Sequence, residues 1–401
     1  MTIPLSGATR PAAAAGAVPR AGARLLFVDN IRVFLTLLVI THHLMVIYAG
    51  SGSWGLYEEG REDTLTAALG TWFCAVNQAY FMGLFLLISA YFAPGSCDRK
   101  GAGRFVKDRL IRLGIPLAVY SWIISPITWY FVLRSQGVSL PWQDYLPGKM
   151  EAFLGAGPLW FVEALLLLSL AYAVWRFFRP DPPTPPVDFA APFPRNAAIA
   201  LFALLLAIVT FLVRLVFPVD YSFPLLNFQF PHFAQYIALF IVGLVAYRRN
   251  WLVGLLDATG KLWLWIAIAM ILLFVPLAVL GGGLESDEPF KGGLHWQALA
   301  FALWEAFMCV GMCIVVIYLF RRYLNQQGKV AGFLSPNAYT AYIIHAPIIT
   351  AIALAQRDVA LYPLVKYAIA VLIAVPLTFG LSALVRKIPY VDRVVGPGGK
   401  G

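Results

Sequence analysis

The sequence predicts an all-α, polytopic integral membrane protein with about ten transmembrane helices and both termini cytoplasmic. Three observations predict it. Hydrophobic residues make up 60% of the 401-residue chain and charged residues only 12%, against about 25% charged in a soluble domain. Apolar runs long enough for the ~20-residue crossing of a bilayer recur along the chain. Their connections alternate between basic and acidic character, as the positive-inside rule requires. The formal charge of +10 therefore reads as cytoplasmic loops facing a bilayer, and no nucleic-acid partner is expected.

The apolar segments run roughly over 30–49, 72–93, 113–134, 158–178, 196–217, 231–247, 262–280, 297–320, 337–356 and 361–385. The second has room to begin nearer 65. Basic connections are "CDRKGAGRFVKDRLIR" (97–112), 176–195, 248–261, 321–329 and the tail from Arg386. The alternate connections carry Glu58, Glu59, Glu62, Asp63, Glu285, Asp287 and Glu288. Residues 1–23 are rich in Ala, Gly and Pro and read as a disordered cytoplasmic tail. They hold no apolar core of a cleaved signal. The Pro-rich 180–194 stretch reads as a cytoplasmic linker between the first four spans and the last six. Cys74, Cys97, Cys309 and Cys313 form neither a disulfide framework nor a zinc pattern, and no metal site is expected.

Ionisable residues inside spans are costly, so each is a functional candidate. The first span, "VDNIRVFLTLLVITHH" (28–43), is the richest. Arg32 and His43 are three turns plus about 20° apart, and so share one face about 16 Å long. Asp29 lies within about 40° of that face, and His42 points away from it. The stripe places a cation near the cytoplasmic surface and an imidazole deeper. Arg32 suits an anionic group and His43 suits proton transfer. The plainer alternative is a snorkelling anchor and a hydrogen-bonded packing histidine. Arg109 and Arg112, one turn apart at the mouth of the third span, form a fork for phosphate or a positive-inside anchor. Glu163 and Glu305 lie within the fourth and eighth spans, where a carboxyl is protonated or paired. Either can orient a histidine or serve as a partner for arginine. His345 lies mid-span with Asn337, Tyr339, Thr340 and Tyr342 on a polar strip, and Pro347 frees a backbone carbonyl there. Arg214 has no evident partner, and His232 and His295 read as surface residues.

Four of these stretches together resemble the membrane acyltransferase-3 family, integral-membrane enzymes that acylate sugars and related acceptors. "VDNIRVFLTLLVITHH" resembles the family's Arg, ten residues, His motif through Arg32 and His43. "KDRLIRLGIPL" (107–117) resembles its Arg-x-x-Arg motif through Arg109 and Arg112. "FMGLFLLISAYF" (81–92) is similar to the end of the second span, with Ala90 where glycine is usual. "NAYTAYIIHAPII" (337–349) resembles its late Tyr and His signature. The resemblance covers about 24–390, bounding one membrane domain between tails at 1–23 and 391–401. "LWFVEALL" and "AYIIHAP" are similar to the branch of periplasmic glucan succinyltransferases.

The resemblance implies an acyl-CoA co-substrate on the cytoplasmic side, with no permanently bound cofactor. It implies a carbohydrate or other hydroxyl acceptor on the outer side of a bacterial inner membrane. It implies donor binding by Arg32, Arg109 and Arg112 and chemistry at His43, as general base or as an acyl-histidine relay. Glu163 or Glu305, ahead of Asp29, would set its tautomer, with His345 in support. The competing class is a proton-coupled transporter or flippase using the same intramembrane His and Glu. It predicts an internal repeat, and none is visible.

Overall fold

The fold follows from a computed structural model that describes residues 24–50, 52, 54, 63–145, 156–179, 191–223 and 228–396. The tail 1–23, most of the Pro-rich linker and the acidic Glu58, Glu59 and Glu62 lie outside the described residues. Among the described residues, ten helices are long and apolar enough to cross a membrane: α1 Leu26–Ala49, α2 Thr64–Lys100, α3 Ala102–Ser135, α4 Gly157–Phe178, α5 Asn196–Arg214, α6 Phe230–Arg248, α7 Asp257–Leu280, α8 Trp296–Tyr323, α9 Lys329–Ala355 and α10 Pro363–Val385. Among the described residues the only strand-like pairing is an isolated bridge, Phe223 to Phe228.

A long apolar helix coincides with each expected apolar segment, but α2 and α3 are longer than their apolar runs. The stretch 97–112, read as a loop, is helical on both sides of Gly101, whose φ of 77° breaks the path. α2 also breaks at Ala79–Tyr80, where the Tyr80 amide reaches back to the Asn77 carbonyl. Within α3, Leu110–Gly114 and Tyr120–Ile124 widen to i→i+5 turns. Such turns rotate side chains off the ordinary helical wheel.

Successive connections alternate between two ends. At the basic end, Asn30 of α1 donates to the carbonyls of Leu324 and Gln326 between α8 and α9. There Arg176 of α4 and Arg248 of α6 both pair with Asp98 of α2, and Arg322 of α8 pairs with Asp257 of α7. Val391–Val395, in the expected C-terminal tail, forms a short helix at the same end and buries Val395.

α1 lies in the middle, packed on α9, α10, α2 and α8. Buried fractions of the apolar windows are 67% for α1 and 11% for α7, so the charged helix is central and the more apolar helix is peripheral. α2 and α6 approach closely where a Cβ on Gly243 would fall 2.2 Å from the Leu87 carbonyl and 2.8 Å from the Ala90 Cβ. Alanine at position 90 is therefore compatible with close packing because the glycine sits on the opposing helix.

Candidate active site

Two groups of sequence-predicted residues assemble at different levels of the bundle. At the basic end, Arg32 lies 3.3 Å from Asp29, and Arg24 lies 2.6 Å from the other oxygen of the same carboxylate. The Arg32 guanidinium also stacks over Phe92 at 4.7 Å. Arg109 stacks over Phe105 at 4.8 Å, and Arg112 donates to the Gly396 carbonyl. Arg32, Arg109 and Arg112 come near enough to repel one another. One carboxylate thus serves Arg24 and Arg32, while Arg109 and Arg112 rest on an aromatic ring and a carbonyl. The sum is a net positive mouth suited to an anion. Tyr339 of α9 closes it by donating to the Arg112 carbonyl at 2.6 Å.

About three turns up the same stripe of α1 is His43. Its Nδ1 lies 2.9 Å from His345 Nε2, and the two rings are nearly parallel at 8°. His345 is fully buried, and its Nδ1 lies 2.5 Å from the Tyr342 carbonyl. A carbonyl only accepts, so His345 Nδ1 carries the proton and its Nε2 holds a lone pair. His43 Nδ1 must then donate to that lone pair, which leaves His43 Nε2 as the free basic nitrogen. The network, rather than an observed hydrogen, assigns these tautomers. Pro347 removes the amide that would meet the Ile343 carbonyl, although the carbonyl that holds His345 is that of Tyr342, one residue earlier. Trp54 covers the pair, with its ring 4.6 Å from His43 and its N–H on Thr350 Oγ1 at 3.1 Å. His42 faces elsewhere, with its ring 4.9 Å from Phe81.

Neither expected carboxylate reaches His43. Glu305 is bound instead to Arg214, at 2.5 Å, and to His232, at 3.1 Å. Its position on α8 turns it toward α5 and α6, which supplies the missing partner for Arg214. His232, read as a surface residue, is buried there. Glu163 stands apart, with Oε2 buried and without a hydrogen-bond partner. Sequence reasoning missed His232. The usable signal was that Arg214 and Glu305, two opposite charges in apolar spans, each required a partner.

A bundle of apolar helices with a histidine pair above a cationic mouth can hold an anion and move a proton. The chain matches the acyltransferase-3 family, described as an acyltransferase domain, over residues 25–386, and it belongs to that family. It is a multi-pass membrane acyltransferase, which decides for the enzyme over the carrier. It is similar to glucans biosynthesis protein C of Salmonella schwarzengrund (strain CVM19633), with 24% identity over 340 residues, covering 80% of this chain and 81% of the relative. The proteins of the same name from Salmonella paratyphi B and Salmonella enteritidis PT4 match to the same extent, at 24% identity over 340 residues. No solved structure matches significantly.

Proposed function

We propose that this acyltransferase moves an acetyl or succinyl group from acyl-CoA to a hydroxyl of a glucan or related envelope glycan, with His43 as general base. In this reading the basic end faces the cytoplasm of a bacterial inner membrane, and Arg32, Arg109 and Arg112 hold the donor's phosphates. The pantetheine arm lies along the ~16 Å stripe of α1, which brings the thioester toward His43. The acceptor hydroxyl gives its proton to His43 Nε2, and its oxygen attacks the thioester carbonyl. The C–S bond breaks, and the leaving thiolate takes the proton back as free CoA thiol. As His43 becomes cationic, its Nδ1–H bond to His345 becomes charge-assisted and stronger. That gain exists only as the transition state forms, so it accelerates the reaction. His345 is the positioning residue and is held by the Tyr342 carbonyl.

The observation that carries the reading is the ordered chain from the Tyr342 carbonyl through His345 to His43. It leaves one free basic nitrogen on the helix face that also carries Arg32. The glucan acceptor is suggested by the similarity to glucans biosynthesis protein C. The test is acyl-CoA turnover by purified His43→Ala protein. The expected loss is about 10²- to 10⁴-fold, the span of a general base. Turnover at the wild-type rate with a wild-type melting profile would remove His43 from the mechanism.

A further inference from the structure

The mechanism leaves two buried histidines unused, His42 and His232. His232, just inside the start of α6, has Nδ1 3.1 Å from Glu305 Oε1. Arg214 Nη2 lies 2.5 Å from the other carboxylate oxygen, an ion pair outside hydrogen-bond angles, and 3.4 Å from His232 Nδ1. All three residues are more than nine-tenths buried, at 1%, 6% and 3% exposure for Arg214, His232 and Glu305. A carboxylate paired with a guanidinium is charged and only accepts. Arg214 Nη2–H also points at Nδ1, from 3.4 Å, but the charged carboxylate is nearer, at 3.1 Å, so Nδ1 carries the proton and donates it to Glu305. Nε2 is therefore the basic nitrogen, the same tautomer that His43 adopts.

The two histidine centres lie at comparable depth. Glu305 is about 13 Å in from the start of α8, His345 about 15 Å from the end of α9, and His43 about 9 Å from the end of α1, all measured from the end opposite the arginines. An aromatic wall joins them. Tyr342 lies 5.6 Å from His345 and 5.9 Å from Phe161. The next residue, Trp160, stacks on Tyr236 at 5.4 Å, and Tyr236 lies 6.2 Å from His232. Trp160 is only partly buried. Among the described residues, Arg214 Nε and Nη1 beside His232, and the Asn77 amide, are buried donors without a hydrogen-bond partner. Beside Asn77, Gln78 donates to the Tyr236 hydroxyl at 3.3 Å.

An indole face bordered by a lone-pair nitrogen and spare N–H donors is the chemistry that receives a sugar, whose ring faces are apolar and whose edges are hydroxyls. We propose that Trp160, His232 and Asn77 form the acceptor subsite. A sugar ring lies on Trp160, and a hydroxyl other than the one being acylated donates to His232 Nε2. Glu305 and Arg214 fix the tautomer that makes this possible. The proposal rests on the acyltransferase reading above and deepens its acceptor half. His232 here binds and orients; it takes no proton in the reaction.

The test uses the full-length protein with acyl-CoA and a β-linked glucose oligosaccharide. His232→Asn keeps an amide donor toward Glu305 while deleting Nε2. It is expected to raise the oligosaccharide KM at least about tenfold while thermal stabilisation by acyl-CoA is retained. Trp160→Ala is expected to act in the same direction. A wild-type KM in His232→Asn, or loss of acyl-CoA stabilisation together with transfer, would overturn the subsite. So would a wild-type protein that hydrolyses acyl-CoA but never acylates the oligosaccharide. Failure of the wild-type protein to bind any acyl-CoA would remove the donor reading and the subsite with it, and that outcome is separable because it appears before any acceptor is added.

Discussion

The two histidine centres reach one tautomer by opposite means. His43 is held by a neutral imidazole that is itself held by a backbone carbonyl. His232 is held by a carboxylate that is itself held by a guanidinium. In the proposed reaction a neutral support leaves the base free to gain charge during turnover, and its removal is expected to cost little fold stability. A charged support fixes the ring, but each ion depends on the other, because a lone charge among apolar helices is heavily penalised. In the proposed reaction, therefore, one centre changes its charge and the other keeps it.

The strongest way to break this contrast is Glu305→Ala, which leaves Arg214 buried without its counter-ion. It is expected to cost about 3–5 kcal/mol, read as a large drop in thermal midpoint and in folded yield. An unchanged midpoint would show that the ion pair contributes nothing to holding α5 and α8. His345→Ala sharpens the other side. Turnover should fall about 10²-fold, toward the low end of a general-base contribution, with a near-normal melting profile and donor KM. A drop in stability as large as that of Glu305→Ala would erase the distinction.

Arg112→Ala probes the donor end. One lost charge-assisted bond of about 1.5–3 kcal/mol should raise the acyl-CoA KM roughly 10- to 100-fold and shrink the thermal shift that acyl-CoA produces by mass action. Gly243→Ala tests packing away from both centres. Its Cβ would meet the Leu87 carbonyl at 2.2 Å, and overpacking of this kind costs about 1–3 kcal/mol, visible in the melting profile with little change in donor KM. The smallest effect is expected from Glu163→Gln, because among the described residues the buried Oε2 of that carboxyl has no hydrogen-bond partner. Turnover should stay within about twofold of wild type, and a hundredfold loss would return Glu163 to the chemistry.

Much of the fold was legible because a bilayer demands a run of about 20 apolar residues for each crossing. The breaks were less legible. Gly101, the Ala79–Tyr80 turn and the wide turns of α3 leave no trace in hydrophobic periodicity, since they are changes of backbone path within runs whose composition does not change. Of the site, the Arg32–His43 stripe was readable because both residues belong to one helix. The His43–His345 bond was not, because the partners are 302 residues apart and only α1–α9 packing brings them together. Glu305 and Glu163 looked equivalent as intramembrane carboxyls. The facing helices separated them, giving Glu305 two partners and leaving Glu163 Oε2 with none among the described residues.

The sequence by itself therefore determined the class of molecule, its ten apolar helices, the family motifs and the alignment of Arg32 with His43 on one face. These follow from composition and from the 3.6-residue period, which act along the chain. Only the tertiary structure decided which group supports His43, where Arg214 finds its counter-charge, and that Gly243 makes room for Ala90. Those are pairings between helices, fixed by shape and by the cost of leaving a polar group alone inside the bundle.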